Sequence, residues 1–112
     1  IIMKICKFNK THFDNVKAEL LYEDSLSKEI CISMQKNSTM KEHFAPYPIK
    51  VQVLRGNIEF YVEDEKFILS ELDMIAVNAK IKHSLKANED SIIRLTLSLN
   101  DTISRVKEVL DK

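Results

Sequence analysis

The feature that most constrains the fold is a lone glycine between two stretches in which apolar and polar residues alternate. Gly56 is the only glycine among the 112 residues. Apolar side chains recur at every second position in 49–53 before it and in 58–62 after it. Such alternation is typical of strands that bury one face, and glycine accepts the positive φ angles of tight turns. The sequence therefore predicts a hairpin that turns at Gly56-Asn57.

The same alternation predicts which side chains share a face of that hairpin. One face carries Val51, Val53, Ile58, Phe60 and Val62, whether the turn falls at Gly56-Asn57 or one residue earlier. Counting in steps of two along the preceding stretch places His43 with Ala45 on the inward side. A histidine in such an interior either binds a ligand or is hydrogen-bonded to a neighbour.

Further β-rich segments follow one another through most of the chain. They are 30–34, 67–69, 74–77, 81–85 and 92–99, with a second hairpin turn at 63–66. With the strands around Gly56 they predict seven or eight short strands at roughly ten-residue spacing, which is typical of a β-sandwich or barrel. The beginning of the chain is ambiguous, because residues 16–21 suit either a short helix that starts from 11–14 or an edge strand.

The end of the chain predicts a helix over about residues 101–111. Asn100 or Asp101 is suited to cap it. Its apolar face is formed by Ile103, Val106 and Leu110. The charged residues expected outside that face are Arg105, Lys107 and Glu108. We expect this helix to pack against the barrel or a second subunit.

Composition excludes several classes of function. Hydrophobic residues make up 45% of the chain, charged residues make up 30%, and the net charge is zero. This is typical of one ordinary globular domain over residues 1–112. Basic residues are spread along the chain, so we expect no nucleic-acid partner.

No apolar run suits a signal peptide or a membrane span, and Cys6 and Cys31 show no disulfide framework. We therefore expect reduced thiols and a cytoplasmic protein without a membrane partner.

Two other residues allow a functional and a structural interpretation. Cys31 could be a nucleophile, but a free cysteine within an alternating strand is more often a small buried residue. Arg94 shares its strand face with Thr96 and Ser98. Its guanidinium suits a ligand carboxylate, although an exposed strand face is the simpler expectation.

The spacing around His43 resembles the first motif of the cupin superfamily, a family of small jelly-roll β-barrels. That motif runs Gly, five residues, His-x-His, three or four residues, Glu, six residues, Gly. Asn37 stands at the first Gly, His43 at the first His and Gly56 at the last Gly. Ala45 and Ile49 stand at the places of the second His and the Glu.

The second cupin motif, Gly, five residues, Pro-x-Gly, two residues, His, three residues, Asn, is matched in the same register. Its positions are occupied by Leu72-Asp73, Asn78-Ala79-Lys80, His83 and Ala87. Asp73 and His83 keep the family's usual residues, and 15 residues separate the two motifs. The resemblance covers about residues 30–99. It implies an all-β, cupin-type double-stranded β-helix (a jelly-roll barrel) with that core and a short C-terminal helix.

The resemblance also bears on cofactors. Metal-binding cupins hold a divalent ion such as Fe, Mn, Ni or Zn with two His and a Glu from the first motif and the His of the second. Only His43 and His83 are present here, so the resemblance implies at most a reduced two-histidine metal site. Gln52 and His12 are the alternative further ligands, and the spacing supports neither of them.

Three functions are consistent with these residues. The first is binding of a small organic molecule in an apolar barrel cavity, with His43 and His83 as its polar groups. The expected lining of that cavity is Ala45, Ile49, Val51, Val53, Phe60, Val62 and Leu85. The second is a metal-dependent enzyme of the dioxygenase, isomerase or decarboxylase type. The third is a dimeric ligand-sensing regulatory module, and a homodimer is expected because cupin subunits commonly exchange strands and edge strands need cover.

Overall fold

The computed structural model describes residues 3–110, and its strands form two antiparallel sheets. The elements in chain order are β1 (Val16–Glu23), β2 (Ser27–Met34), β3 (Thr39–His43), β4 (Ile49–Arg55), β5 (Asn57–Val62), β6 (Glu65–Ser70), β7 (Met74–Val77), β8 (His83–Ala87), β9 (Ser91–Ser98) and α1 (Ile103–Leu110). The predicted all-β jelly-roll barrel with a short C-terminal helix is confirmed.

The chain passes repeatedly between the two sheets. One sheet has five strands in the order β1-β2-β9-β4-β7, and the other has four in the order β3-β8-β5-β6. The core lies between them and includes the fully buried side chains Ile30, Met34, Ile58, Phe60 and Ile93. Burying each of these side chains contributes about 1.5–3 kcal/mol relative to leaving it in water.

The predicted alternation is present, but the predicted hairpin at Gly56 is wrong. β4 ends at Arg55 in the five-stranded sheet, and β5 begins at Asn57 in the four-stranded sheet. Gly56 is thus the point at which the chain crosses between sheets. Its φ is +95°, and a Cβ there would lie 2.3 Å from Oγ of Ser91. The alternation could not reveal this, because a hairpin and a crossover turn the same side chains toward the interior.

Three positions at which the cupin motifs have glycine keep a left-handed backbone here without the glycine. Asn37 has φ 72°, Leu72 has φ 73° and Lys80 has φ 67°. A non-glycine residue in this region is sterically strained, and asparagine least so. These three positions therefore have the left-handed backbone that suits glycine, although two of their side chains are unfavourable in it.

Most of the other predicted strands are found with ends shifted by three residues or fewer. The second hairpin is confirmed, with Val62 paired to Glu65 and a shorter turn, Glu63-Asp64, than the predicted 63–66. The open choice for residues 16–21 is settled as a strand, because β1 pairs with β2 at the edge of the five-stranded sheet.

The C-terminal helix is confirmed, but its cap is neither of the two predicted residues. The hydroxyl of Thr102 accepts the backbone N–H of Arg105 at 3.1 Å, so Thr102 is the N-cap. Val106 and Val109 are buried, and α1 packs against β1 and β3. Residue 111, the predicted last residue of the helix, lies outside the described residues.

Candidate functional site

His43 and His83 lie side by side inside the barrel. His43 ends β3, His83 begins β8, and the two are paired in the antiparallel register. Their ring centroids are 4.3 Å apart with the planes at 65°, an edge-to-face arrangement. Phe60 stacks on His83 at 5.3 Å. The sequence spacing therefore places the two histidines, 40 residues apart in the chain, in direct contact. We call them the histidine pair.

Each ring of the histidine pair is held by a short local hydrogen bond. Nδ1 of His43 lies 2.6 Å from the carbonyl oxygen of Lys41, and Nδ1 of His83 lies 2.9 Å from that of Ile81. A carbonyl oxygen only accepts, so Nδ1 must donate in both rings. In the neutral form, Nε2 of each ring is consequently a hydrogen-bond acceptor and a possible metal ligand.

Burial keeps these imidazoles uncharged at neutral pH. It lowers the pKa of His43 from the ordinary 6.5 to about 4, and the hydrogen bond to Lys41 opposes this only in part. Burial also lowers the pKa of His83. The positive charge of Arg105 lowers both pKa values further. The pair therefore offers two neutral acceptors rather than two cations.

A small cavity between the sheets adjoins the histidine pair, and α1 lies along it. Its apolar walls are formed by Ile32, Met40, Ile49, Val51, Leu85, Ile93, Leu95, Val106 and Val109. Its polar lining consists of His43, His83 and Arg105. The centre of a water molecule has about 20 Å³ available there, which is room for about one water. We call this space the barrel cavity.

Arg105 is the lining residue that the sequence prediction placed elsewhere. The helical face pattern put it outside the apolar face, but it lines the barrel cavity and only 21% of its side chain is exposed. Asp101 holds it there, because the carboxylate accepts from Nε at 2.6 Å and from Nη2 at 2.8 Å. The signal in the sequence is the four-residue spacing of Asp101 and Arg105, which favours an ion pair along a helix.

The expected cavity lining is only partly brought together. Ile49, Val51 and Leu85 lie on the wall of the barrel cavity. Four expected residues do not line it: Ala45, Val53, Phe60 and Val62. The first three are buried elsewhere in the core, and Val62 lines a groove beside Phe67 and Ile75. The prediction includes all four because alternation indicates which face of the sheet a side chain lies on. It does not predict how far along the barrel the side chain lies.

The side chains of the barrel cavity do not fit a resident metal ion. Within residues 3–110, no three His, Cys, Asp or Glu side chains are grouped to hold one. The histidine pair provides two nitrogens, whereas metal sites usually supply at least three protein ligands. Ile49, at the motif's glutamate position, lines the cavity and cannot donate an electron pair. The guanidinium of Arg105 further disfavours a second cation.

The alternative metal ligands lie on the outside of the five-stranded sheet. Gln52 donates to the carbonyl of Leu72 at 3.3 Å, and its neighbours include Lys50 and Arg94. His12 is exposed and lies in a surface groove near Lys10. Neither residue lines the barrel cavity.

The two remaining candidate residues also lie away from the cavity. Arg94 forms a two-point ion pair with Glu29, at 2.7 and 3.0 Å, on the outer sheet face. Cys31 is 1% exposed, and burial raises the pKa of its thiol, which disfavours the reactive thiolate.

Comparison with solved structures defines the class of fold. An RmlC-like cupin protein from Desulfovibrio desulfuricans superposes with a TM-score of 0.77 at 16% identity, covering 88% of this chain and 98% of its own. A cupin superfamily protein from Desulfitobacterium hafniense gives 0.74 at 14% identity, covering 82% and 84%. KdgF from Halomonas sp. gives 0.71 at 18% identity, covering 81% and 86%. This chain has the cupin fold.

The sequence itself adds nothing more specific. It matches no protein-family model, and no curated protein is significantly similar to it. The predicted cupin fold is confirmed by structural likeness, while function has to be inferred from the site. Within residues 3–110, no helix is long and apolar enough to cross a membrane.

Proposed function

We propose that this protein binds a small organic molecule in the barrel cavity, with the histidine pair as its polar contacts. The observation that carries the proposal is the burial of two neutral imidazoles in a cavity with otherwise mostly apolar walls. Binding sites for small molecules typically combine apolar walls with a few placed polar groups. A metal-dependent enzyme is less well supported, because the histidine pair lacks a third donor.

Binding requires part of the cavity wall to move. The barrel cavity has room for about one water molecule, so an organic molecule enters only if part of the lining moves. Val106 and Val109 of α1 form part of that lining. This helix has eight residues and packs against β1 and β3. Displacement of Val106 and Val109 would therefore enlarge the cavity.

The test compares ligand affinity between wild type and the His43→Asn/His83→Asn variant. Asparagine keeps a donor near the position of Nδ1 and removes Nε2, so the bonds to Lys41 and Ile81 are retained. Thermal-shift titrations with acetate, lactate, acetamide and benzoate provide the readout. We expect affinity for at least one probe to fall about tenfold or more. His12→Asn, an exposed histidine, is the matched control. Unchanged affinity in the double variant would refute the proposal.

We also propose that the protein forms a homodimer through the outer edge of β1. Within the described chain, β1 pairs only with β2, and exposed strand edges favour association. Leu20 and Tyr22 on β1 and Leu26 in the following turn are exposed. Light scattering should show twice the monomer mass in wild type and a shift toward monomer in Leu20→Lys/Tyr22→Lys. A monomeric wild type at high concentration would contradict this.

A further inference from the structure

Arg105 places a cation at the barrel cavity. Its Nε and one Nη2 hydrogen are bonded to Asp101, which is 2% exposed. A guanidinium has five N–H groups, and the other three have no partner within residues 3–110. The edge away from Asp101 is thus available to a ligand. Arg105 lines the same cavity as both histidine rings.

The polar groups around the cavity define the complementary ligand. Arg105 only donates hydrogen bonds and carries a positive charge, so it matches a carboxylate. Nε2 of each neutral histidine only accepts, so it matches a hydroxyl donor. A carboxylate placed against Nε2 would meet a lone pair and gain no hydrogen bond. The apolar walls leave the rest of the ligand without polar partners.

We infer that the ligand is a small hydroxycarboxylate, with its carboxylate on Arg105 and its hydroxyl donating to His43 or His83. This inference rests on the proposed function and names the ligand class of the same site. A ligand carrying both groups satisfies Arg105 and one of the two histidines at once, which a simple carboxylate or a neutral alcohol does not.

Asp101 does not exclude an anion from this site. Its carboxylate is bound on one edge of the guanidinium and also accepts the N–H of Thr102. A second carboxylate on the opposite edge lies closer to the guanidinium than to Asp101, so attraction exceeds repulsion. Asp101 fixes the direction of the guanidinium and thereby positions it.

The experiment compares three matched probes on the wild-type protein: lactate, propionate and lactamide. Propionate lacks the hydroxyl, and lactamide lacks the charge. Binding is followed through the Cε1–H resonances of His43 and His83 in NMR titrations. We expect lactate to bind about tenfold or more tightly than either of the others, since each loses one hydrogen bond to a placed partner.

Each outcome decides a separate point. If lactamide binds as tightly as lactate, the carboxylate assignment is wrong, and if propionate does, the hydroxyl assignment is wrong. Equal binding of all three probes overturns this inference and leaves the proposed function standing. If none of them moves either resonance, the proposed function fails as well.

Variants separate the two contacts. Asp101→Asn/Arg105→Gln removes both charges of the pair together, which avoids leaving a buried carboxylate unpaired. It should bind lactate and lactamide with equal affinity. His43→Asn/His83→Asn lacks both reporter resonances, so its binding is followed by thermal-shift titration, and it should bind lactate and propionate equally. If Asp101→Asn/Arg105→Gln still prefers lactate to lactamide, the carboxylate assignment is wrong. If His43→Asn/His83→Asn still prefers lactate to propionate, the hydroxyl assignment is wrong. Arg105→Lys keeps the charge without the flat donor edge and should retain part of the preference for lactate.

Discussion

His43 and His83 show how burial sets the protonation state of a side chain. Both rings donate Nδ1–H to a carbonyl two residues earlier, and both line a mostly apolar cavity. Taking a cation out of water is unfavourable, so the neutral form is favoured. No carboxylate within hydrogen-bond reach of either ring restores the charge in the described residues. The site consequently carries its positive charge on Arg105.

Stability should fall as the pH drops from about 7 to about 4. The folded pKa of His43 is about 4 and the unfolded value is 6.5, so the unfolded state binds the proton first as the pH falls. The stabilisation is complete above the unfolded value and is lost through this window. We expect a contribution of about 1–2 kcal/mol, allowing for solvent screening at a partly exposed ring.

Urea unfolding at several pH values measures this contribution. His43→Asn should show a shallower loss of stability between pH 7 and 4 than wild type. His12→Asn controls for the general effect of removing a histidine. Parallel pH profiles for wild type and His43→Asn would contradict the account of His43.

Leu72 and Lys80 show that a left-handed turn can form without glycine. Both keep positive φ angles at motif positions where glycine is expected. Leu72 is 72% exposed, so its side chain gains little from burial to offset the strain. The hydrogen bond from the N–H of Leu72 to the carbonyl of Val53 holds the turn in place.

Leu72→Gly should therefore stabilise the protein. Relief of left-handed strain is worth about 1–2 kcal/mol, and the added freedom of the unfolded chain costs about 0.5–1 kcal/mol. We expect a net gain of about 0.5–1 kcal/mol in chemical denaturation. Leu26→Gly, at an exposed leucine without a positive φ, should destabilise. A loss of stability in Leu72→Gly would show that the leucine makes favourable contacts.

Helix α1 is a short element whose placement depends on its first residues. An isolated helix of eight residues is unstable in water, so α1 is stabilised by its cap and by packing of Val106 and Val109. Asp101 adds a buried ion pair to Arg105 in the first turn. These contacts determine how firmly α1 closes the barrel cavity.

Thr102→Ala should weaken α1 by about 1 kcal/mol through loss of the cap. Hydrogen exchange of the α1 amides should accelerate, while exchange in β9 should remain slow. Thr102→Ser keeps a capping hydroxyl and should behave as wild type. Equal protection of α1 in Thr102→Ala and Thr102→Ser would mean that the cap contributes nothing.

Over the whole molecule, the sequence predicts strands and core more reliably than connections. Alternation identified most strands, and the motif spacing predicted the cupin fold and assigned His43 and His83 to one site. The crossover at Gly56 was missed because alternation is the same for a hairpin and a crossover, and because both partners of β4, which are β7 and β9, are distant in sequence. Arg105 was missed because a helical face pattern does not show that Asp101 turns its side chain inward.

We expect the histidine pair to contribute polar groups to a cavity for organic ligands and not to hold a resident metal. Metal content is the most direct test. Tag-free protein is incubated with excess Zn²⁺ or Ni²⁺, desalted near neutral pH and measured by elemental analysis beside His43→Asn/His83→Asn. We predict far less than one ion per chain in both proteins, because two neutral imidazoles retain metal poorly. Near-stoichiometric metal in wild type that is lost in the variant would contradict the claim.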